Sequence, residues 1–418
     1  MFNLALHPAS SLEKKIQDME SKVFAIDLHW AVHSQGAIKV AELCKRHHPS
    51  SHVVVGGFTA TWFDREILEN YPCVDIIVLG EGEEPMLGIT KGLLSDEKSF
   101  TEVDGVSFRR GRSIKRNPIS APINSLDELD FVNISLMEDW RKYTKVGPPG
   151  YLKELPSSFW LPIARGCTND CVFCGGGRSS YQLFSKREKC IFRSPGRVAD
   201  DVRILYDLGI LTIRFTHDPE IGGRKYSLDV LSEIRKTGAD VSIYWESFAL
   251  PSRSVLEELS KVAFSSRIAV SPESPSDQVR MKSGRNFTNR ELLRTIDTCE
   301  ELGIALDVYF NSGLPGETRE FSVLFKKMAD RIAGKLWTRI EPPIPFTLDP
   351  NCLMAVSPQQ YGVKLHFRKF EDYRRMCSSP YPLDWIGYET AFLSREEIVA
   401  LSQEAVRYVS TLPKPLMR

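Results

Sequence analysis

The sequence predicts an α/β protein in which a partial (β/α)6 barrel, similar in plan to a TIM barrel, follows a smaller doubly wound α/β domain. Between residues 159 and 347, short apolar strands alternate with helices whose apolar positions recur every three or four residues. Several of these helices stop at a glycine, as at Gly209, Gly238 and Gly303, where a helix C-terminus is expected. A shorter alternation of the same kind occupies residues 1–95. Such alternation is typical of parallel sheets covered by helices.

Residues 1–95 are predicted to form the first unit, which we call the front domain. Strands are expected at 23–26, 52–55 and 74–79, and helices at 37–48 and 66–70. Gly56 and Gly57 follow the second strand, and Gly80 and Gly82 follow the third. Parallel sheets bind ligands at the carboxyl ends of their strands. The alternative interpretation is that these glycines are plain turn residues.

Residues 96–158 are predicted to connect the two domains, and residues 348–418 to form a C-terminal extension. A β-hairpin is expected around Gly111, with strands at 106–108 and 113–114. Its basic residues are interleaved with apolar ones, which indicates a sheet edge protected by charge rather than a nucleic-acid surface. The extension ends in an amphipathic helix predicted at 394–409, and we expect it to cap the barrel mouth.

The barrel is predicted at 159–347. Its strands are expected at 159–164, 210–215, 241–245, 267–270, 304–310 and 338–340, with crossover helices at 197–208, 227–237, 254–262, 289–302 and 317–332. Six strands are too few to close an eight-stranded barrel, so the sheet is predicted to stay open. In barrel-like α/β proteins the catalytic groups lie at the carboxyl ends of the strands.

Composition excludes several classes of protein. The chain has 418 residues, a formal net charge of zero, 42% hydrophobic and 26% charged residues, which is ordinary for a soluble protein of two to four domains. Nothing indicates a nucleic-acid or membrane partner, and we expect no signal peptide. The nine cysteines are too few and too scattered for a disulfide scaffold. We therefore predict a reducing, cytoplasmic compartment.

Three of the cysteines form a local group. Cys167, Cys171 and Cys174 lie within eight residues, after an apolar strand and before three consecutive glycines. A structural zinc site usually takes four ligands, whereas a cubane iron–sulfur cluster held by three thiolates keeps one iron open for another ligand. Chance spacing, a partial zinc site completed by a distant residue and a group of reduced thiols are the alternatives.

The spacing Cys167-x-x-x-Cys171-x-Phe173-Cys174 resembles the signature of the radical S-adenosylmethionine (SAM) superfamily. This resemblance implies a [4Fe–4S] cluster whose open iron binds the amino and carboxylate groups of SAM. It also implies that electron transfer from the cluster cleaves SAM to a 5′-deoxyadenosyl radical.

The later strand ends carry the candidate SAM contacts. Glu246 and Glu273 follow the third and fourth strands, where a buried carboxylate must either bind a ligand or be salt-bridged, for example to Arg214 or Arg280. Glu273-Ser274 resembles the family's Glu-Ser pair near the SAM ribose and amino group. The run from Gly313 through Pro315 to Glu317 resembles its Gly-Leu-Pro-Gly-Glu turn near the adenine, and Arg280, Lys282 and Gly284 resemble another family stretch. At the second strand end Thr216-His217-Asp218 replaces the family's frequent Gly-Gly-Glu.

The front domain resembles the cobalamin-binding domain that precedes many radical SAM proteins, through Gly56-Gly57-Phe58-Thr59-Ala60 and Gly80-Glu81-Gly82-Glu83. The resemblance implies that Gly56, Gly57, Gly80 and Gly82 lie against cobalamin. Because few residues precede Val23, we expect a truncated version of this domain, without the strand, helix and strand with which the family domain begins. Asp27-Leu28-His29 mimics the start of the Asp-x-His-x-x-Gly motif of some cobalamin proteins, and we interpret it as a coincidence.

These resemblances imply a radical SAM enzyme, of the cobalamin-dependent methyltransferase type, with a small-molecule substrate and an electron donor such as flavodoxin or ferredoxin. In many relatives methylcobalamin donates the methyl group. Radical chemistry without methyl transfer (cyclisation, rearrangement or oxidation) and a non-catalytic iron–sulfur protein are the alternatives. The substrate itself is not predicted. The barrel mouth offers the side chains of Trp160, Tyr244, Trp245 and Tyr309 to a hydrophobic or aromatic molecule.

Overall fold

A computed structural model describes residues 9–94, 100–145, 157–262 and 265–415. All nine cysteines lie in these ranges and are free thiols. None of the described helices combines the length and the apolar character needed to cross a membrane.

The front domain is built on a five-stranded sheet. Its strands are β1 (Val23–Asp27), β2 (His52–Gly56), β3 (Ile76–Val78), β4 (Val106–Arg110) and β5 (Ser113–Arg116), and its helices are α1 (Ala9–Gln17), α2 (Ser34–His47), α3 (Phe58–Trp62), α4 (Asp64–Asn70) and α5 (Glu83–Leu94). β1, β2 and β3 are parallel, whereas β4 and β5 form the hairpin, which pairs antiparallel with β3. The hairpin expected in the connector therefore extends the front sheet.

Both faces of this sheet are covered. In β2, Val53 and Val55 pack into one hydrophobic cluster and Val54 into another on the opposite face. A continuous apolar strand is what a parallel sheet buried on two sides requires. A short helix, α6 (Trp140–Tyr143), follows the front domain in the chain, and its Trp140 packs against the core of the barrel.

The barrel sheet has six parallel strands in the order β13-β12-β11-β10-β9-β6. They are β6 (Ser158–Leu161), β9 (Thr212–Phe215), β10 (Ser242–Ser247), β11 (Arg267–Glu273), β12 (Ala305–Ser312) and β13 (Thr338–Pro345), while β7 (Ala164–Arg165) and β8 (Ile191–Phe192) form a separate short pair. Its helices are α7 (Arg178–Ser185), α8 (Pro195–Asp207), α9 (Arg224–Lys236), α10 (Arg253–Val262), α11 (Asp277–Lys282), α12 (Asn289–Leu302) and α13 (Phe321–Ile332). The predicted open barrel is confirmed, with β6 and β13 at its two edges.

Strand alternation divides this sheet into an apolar and a polar face. Ile213, Phe215 and Trp245 are buried in the core formed with the surrounding helices. Because neighbouring residues of a strand point to opposite faces, Arg214, Tyr244 and the other alternate residues line the barrel interior. The expectation that Trp245 faces the mouth is therefore wrong, since its ring stacks on Phe215 in the outer core.

The C-terminal extension divides between the two domains. It contains α14 (Leu353–Val356), β14 (Val363–Leu365), α15 (Phe370–Met376), β15 (Tyr388–Thr390) and α16 (Arg395–Thr411). Helix α16, predicted at 394–409, packs against α13 and β13. Helix α15 instead packs into the core of the front domain, where its residues Phe370, Tyr373 and Met376 are buried. The start of the extension contacts the front domain and the cysteine-bearing loop, since Asp349 Oδ1 accepts from the Ala31 amide at 3.0 Å and Asn351 Nδ2 donates to the Gly175 carbonyl.

Candidate cofactor sites

The three cysteines of the sequence motif lie on one loop, residues 166–177, which we call the cluster loop. It begins after β7 with Gly166, whose φ is 100°. A Cβ at Gly166 would be 2.9 Å from the Cα of Cys190, so the backbones approach too closely for a side chain. Within the loop, the Asn169 amide donates to Cys167 Sγ at 3.4 Å and the Gly176 amide donates to Cys174 Sγ at 3.3 Å. Backbone donors of this kind stabilise thiolates.

Burial raises the pKa of all three thiols, that of Cys174 to about 12. The guanidinium of Arg285 acts in the opposite direction on each of them. A thiol that coordinates a metal is deprotonated outright. A buried cation beside three thiols therefore suits an anionic thiolate-bound cluster.

A loop from the fourth barrel unit is pressed against the cluster loop. The Val172 amide donates to the Ser283 carbonyl at 3.1 Å. Gly284 has a φ of 97°, and a Cβ there would lie 2.9 Å from the Cα of Cys171. Gly284 thus admits the contact that brings Arg285 next to the thiols. The sequence singled out Gly284 but missed Arg285, whose only signal was its position beside that glycine.

The donor set fits a cubane cluster. Among the described residues, no three His, Cys, Asp or Glu side chains are grouped as a single metal ion would need. In a cubane held by three thiolates, each thiolate binds a different iron, so the sulfur atoms do not share one ion. Three thiols on one loop supply this set and leave the fourth iron open.

Glu273 is held in a fully buried pair with Arg285. Its Oε1 accepts from Arg285 Nη2 at 2.9 Å, and its Oε2 accepts from Asn311 Nδ2 at 2.5 Å. Its backbone has a φ of 64°, a conformation that costs a residue other than glycine about 1–3 kcal/mol. Burial raises the pKa of Glu273 and Arg285 lowers it. The salt-bridge partner expected for this buried carboxylate is thus Arg285, rather than Arg214 or Arg280.

Arg280 and Ser274 have structural contacts in the same region. The Arg280 guanidinium donates to the carbonyls of Pro272, Ser274 and Phe287 at 2.7–3.2 Å and so fixes the turn after β11. Ser274 is buried, and its Oγ accepts from the Ser276 amide at 3.4 Å. This turn places Glu273 and Ser274 at the carboxyl end of β11, as the sequence predicted.

Glu246 is more open than Glu273. Its Oε1 accepts from Ser271 Oγ at 2.6 Å and lies 3.8 Å from Arg285 Nη2. The side chain is 45% exposed, so a ligand in the barrel interior can reach it. Arg285 therefore lies between the cluster cysteines and both candidate carboxylates.

The turn from Gly313 to Glu317 is held in place by Tyr388 of the C-terminal extension. Tyr388 Oη donates to the Gly313 carbonyl at 3.0 Å. A Cβ on Gly313 would lie only 2.4 Å from this Tyr388 hydroxyl oxygen. The amides of Gly313 and Leu314 both donate to Glu317 Oε2, at 2.8 and 3.1 Å. Pro315, at the tip, is partly exposed. The predicted turn is therefore held rigidly at the end of β12.

His217 and Asp218, which follow the second barrel strand β9, mainly contact other residues of the protein. Asp218 accepts from the amides of Glu220 and Phe248 at 2.9 and 2.8 Å, and burial raises its pKa to about 6. His217 Nε2 lies 2.5 Å from the Gly166 carbonyl, so that nitrogen carries the proton, and its Nδ1 is buried without a partner among the described residues. Asp218 thus positions a loop, and His217 supports the start of the cluster loop.

A cavity of about 380 Å³, which we call the front cavity, lies at the carboxyl edge of the front sheet. Its lining includes all four predicted glycines, Gly56, Gly57, Gly80 and Gly82. Two of them are needed for packing: a Cβ on Gly57 would lie 2.6 Å from His29, and a Cβ on Gly80 would lie 2.4 Å from the Phe184 carbonyl. These glycines let the surrounding loops close around the cavity.

Polar atoms without partners lie in the wall of this front cavity. Ser185 Oγ and Glu83 Oε2 are buried and have no hydrogen-bond partner among the described residues. His29 also lines the cavity, with its ring stacked on Phe58 at 4.6 Å. Unsatisfied buried donors and acceptors are costly, so the cavity is suited to a ligand that carries polar groups. Cobalamin, with its apolar ring edges and amide side chains, fits this lining.

The front cavity and the cluster loop are physically joined. Arg165, two residues before Cys167, donates to Glu81 Oε2 at 3.1 Å and lies 2.7 Å from Glu83 Oε1. On the other side, the indole of Trp30 lies 3.1 Å from the position that a Cβ would take on Gly176. Residues that line one site thus adjoin residues that hold the other.

Comparison with known protein families agrees with both sites. Residues 161–327 match the family model of the Radical SAM superfamily, and residues 3–90 match that of the B12 binding domain. The chain therefore contains a radical SAM domain with a B12-binding domain in front of it. The cofactors of these two domains are a [4Fe–4S] cluster with SAM, and cobalamin.

Individual relatives are more distant. The uncharacterized methyltransferase PH0819 of Pyrococcus horikoshii is 26% identical over 285 residues, which cover 68% of this chain and 59% of that protein. The anaerobic magnesium-protoporphyrin IX monomethyl ester cyclase of Cereibacter sphaeroides is 27% identical over 205 residues, covering 47% of this chain and 30% of that protein. The chain thus spans between 30% and 59% of the length of these two curated relatives.

A solved structure shows the same fold. The radical S-adenosylmethionine methyltransferase TsrM from Kitasatospora setae, with cobalamin and a [4Fe–4S] cluster bound, superposes with a TM-score of 0.69 at 15% identity. The superposition covers 97% of this chain and 82% of that chain. The arrangement of front domain, barrel and extension is therefore shared over almost the entire length.

Proposed function

We propose that this protein is a cobalamin-dependent radical SAM enzyme that transfers a methyl group to carbon in a small molecule. When bound, the cluster and SAM supply a 5′-deoxyadenosyl radical, and cobalamin supplies the methyl group. The observation that supports the proposal best is the contact between the two sites. His29 lines the front cavity, and the next residue, Trp30, packs against Gly176 of the cluster loop.

The residues of this chain have distinct roles in the proposal. Cys167, Cys171 and Cys174 hold the cluster, while Arg285 balances its negative charge and orients Glu273. Glu246, Glu273 and Ser274, with the turn at Gly313 and Pro315, contact SAM. Gly56, Gly57, Gly80 and Gly82 shape the cobalamin cavity. An electron donor such as flavodoxin or ferredoxin reduces the cluster, in keeping with a reducing, cytoplasmic compartment.

Radical chemistry without methyl transfer is the second candidate. One curated relative is named as a cyclase, and another as a methyltransferase. The polar atoms in the wall of the front cavity favour retention of cobalamin, and hence the methyltransferase. The strand-end carboxylates of Glu246 and Glu273 and the turn from Gly313 to Glu317 argue against a non-catalytic iron–sulfur protein.

Anaerobic reconstitution distinguishes these candidates. The protein is loaded with iron, sulfide and hydroxocobalamin, separated by gel filtration, and incubated with SAM and a strong reductant. We expect about four irons per chain, a stoichiometric amount of cobalamin, and both 5′-deoxyadenosine and S-adenosylhomocysteine. Formation of 5′-deoxyadenosine without retained cobalamin or S-adenosylhomocysteine would favour the second candidate. Iron retention with neither SAM product would indicate a non-catalytic protein.

A further inference from the structure

The interior of the barrel holds a group of five charged side chains below the cofactor end. Arg214, Arg267, Asp307, Arg339 and Glu341 all lie on the polar face of the sheet, and we call them the interior ring. Arg267 lies 3.5 Å from Asp307, and Arg339 lies 3.1 Å from the same carboxylate. Arg339 also forms an ion pair with Glu341. Three guanidinium groups face two carboxylates, so the ring carries one excess positive charge.

That excess is located on Arg214. It makes no hydrogen bond or ion pair with any described residue, whereas the other two arginines of the interior ring are ion-paired. Its guanidinium instead lies over the rings of Trp160 and Tyr244, at 5.5 and 5.1 Å from their centroids. The register explains this arrangement, because Trp160 and Tyr244 lie beside Arg214 on the two neighbouring strands.

An unpaired cation in this position is unfavourable by itself. Arg214 is only partly exposed, and burial lowers its pKa. The aromatic faces compensate in part through cation–π attraction, but none of the described residues accepts a hydrogen bond from the five N–H donors of the guanidinium. A planar carboxylate matches two of those donors at once.

We propose that Arg214 binds a carboxylate of the substrate, so that the substrate is a small carboxylic acid with a flat or apolar body. This inference rests on the proposed function, since it concerns the molecule that is modified in the barrel. Trp160 is 52% exposed, so its ring is open to a ligand beside the guanidinium.

Strand geometry also sets the length of the substrate. Tyr244, beside Arg214, and Glu246, beside Arg285, are two residues apart on one face of β10, which corresponds to about 7 Å along the strand. Arg285 adjoins the cluster cysteines. The carbon that reacts therefore lies about 7 Å or more from the carboxylate that Arg214 holds.

Binding of matched probes to the reconstituted enzyme tests the proposal. The probes are 3-phenylpropionate, its neutral analogue 3-phenylpropionamide and 2-phenylethyl phosphate, measured by calorimetry with cluster and SAM present. We expect the acid to bind at least about tenfold more tightly than the amide, because one charge-assisted pair is lost in the amide. Arg214→Gln should abolish this preference, and Arg214→Lys should reduce it. Arg253→Gln, which alters an exposed arginine on the outer helix α10, should leave it unchanged.

Several outcomes would overturn the proposal. Equal affinity for acid and amide, no binding of the acid to the wild type, or a preference that survives in Arg214→Gln would each do so. Tighter binding of the phosphate would overturn the assignment to a carboxylate. Iron content and circular dichroism show whether Arg214→Gln is folded, and Arg214→Lys carries the test if it is not. Formation of 5′-deoxyadenosine and S-adenosylhomocysteine is measured separately, so a failure of the proposed function is distinguishable.

Discussion

Glu81 of the front domain and Arg187 of the barrel form a bidentate ion pair across the junction of the two domains. Arg187 Nε donates to Oε1 at 2.6 Å and Nη2 donates to Oε2 at 2.8 Å. Both side chains are buried, with 8% and 4% of their surfaces exposed. Because Glu81 also accepts from Arg165 next to the cluster loop, this pair holds the front cavity in register with the cluster loop.

The first prediction tests this junction. Glu81→Gln keeps the shape of the side chain but removes the charge that two arginines share, so we expect a loss of about 1–3 kcal/mol in unfolding free energy. We also expect weaker retention of cobalamin in gel filtration. Asp229→Asn is the control, since its pair with Lys225 is exposed and such pairs contribute about 0–1 kcal/mol. Equal effects of the two substitutions would contradict a special role for Glu81.

The second prediction concerns the contact between Gly284 and the cluster loop. Gly284→Ala places a Cβ 2.9 Å from the Cα of Cys171. Since that neighbour is backbone, the loop itself must move, and we expect the variant to assemble much less cluster, measured as iron and sulfide per chain. Gly238→Ala is a matched control, because Gly238 also has a positive φ, of 68°, but nothing lies within 4 Å of its added Cβ. Normal iron content in Gly284→Ala would show that the close approach is dispensable.

The third prediction concerns SAM. Glu273→Gln removes the anion at the carboxyl end of β11, and we expect SAM binding to weaken by about 10- to 100-fold. Iron content should remain that of the wild type, as measured after anaerobic reconstitution. Glu257→Gln, which changes an exposed residue of α10 paired with Arg253, should bind SAM normally. Unchanged SAM affinity in Glu273→Gln would make Glu273 a structural partner of Arg285 alone.

The fourth prediction is a pH dependence of stability at Glu317. Burial raises the pKa of Glu317 from 4.5 to about 7. The folded state therefore binds its proton more tightly than the unfolded state, so this residue lowers stability as the pH rises from about 4.5 to 7. Each pKa unit corresponds to about 1.4 kcal/mol, so the cost at pH 8 is about 3 kcal/mol.

Glu317→Gln removes that titration while keeping an oxygen for the amides of Gly313 and Leu314. We expect the variant to melt at a higher temperature than the wild type at pH 8, with the difference shrinking toward pH 5. The measurement is the melting temperature of both proteins across this range. A difference that stays constant with pH would contradict the assignment.

Local patterns in the sequence were sufficient for much of the fold. Six strands, the helices between them and the open sheet follow from apolar periodicity and glycine stops, which depend on neighbouring residues. The three cysteines and the strand-end glycines are also local signals, because a loop that holds a cluster or closes around a ligand needs its residues near one another in sequence.

The partners of buried side chains were decided by the tertiary structure. Which cation neutralises Glu273 depends on how the loop at Gly284 packs against the cluster loop, more than a hundred residues earlier in the chain. Trp245 is different, because neighbouring residues of a strand point to opposite faces. Since Tyr244 points into the barrel, Trp245 must point to the outer core. Helix α15 completes the core of the front domain from the far end of the chain, where no local pattern indicates the surface that its apolar face will cover. Burial requires that charges and apolar faces find partners, but only the packing of distant segments determines which partners are within reach.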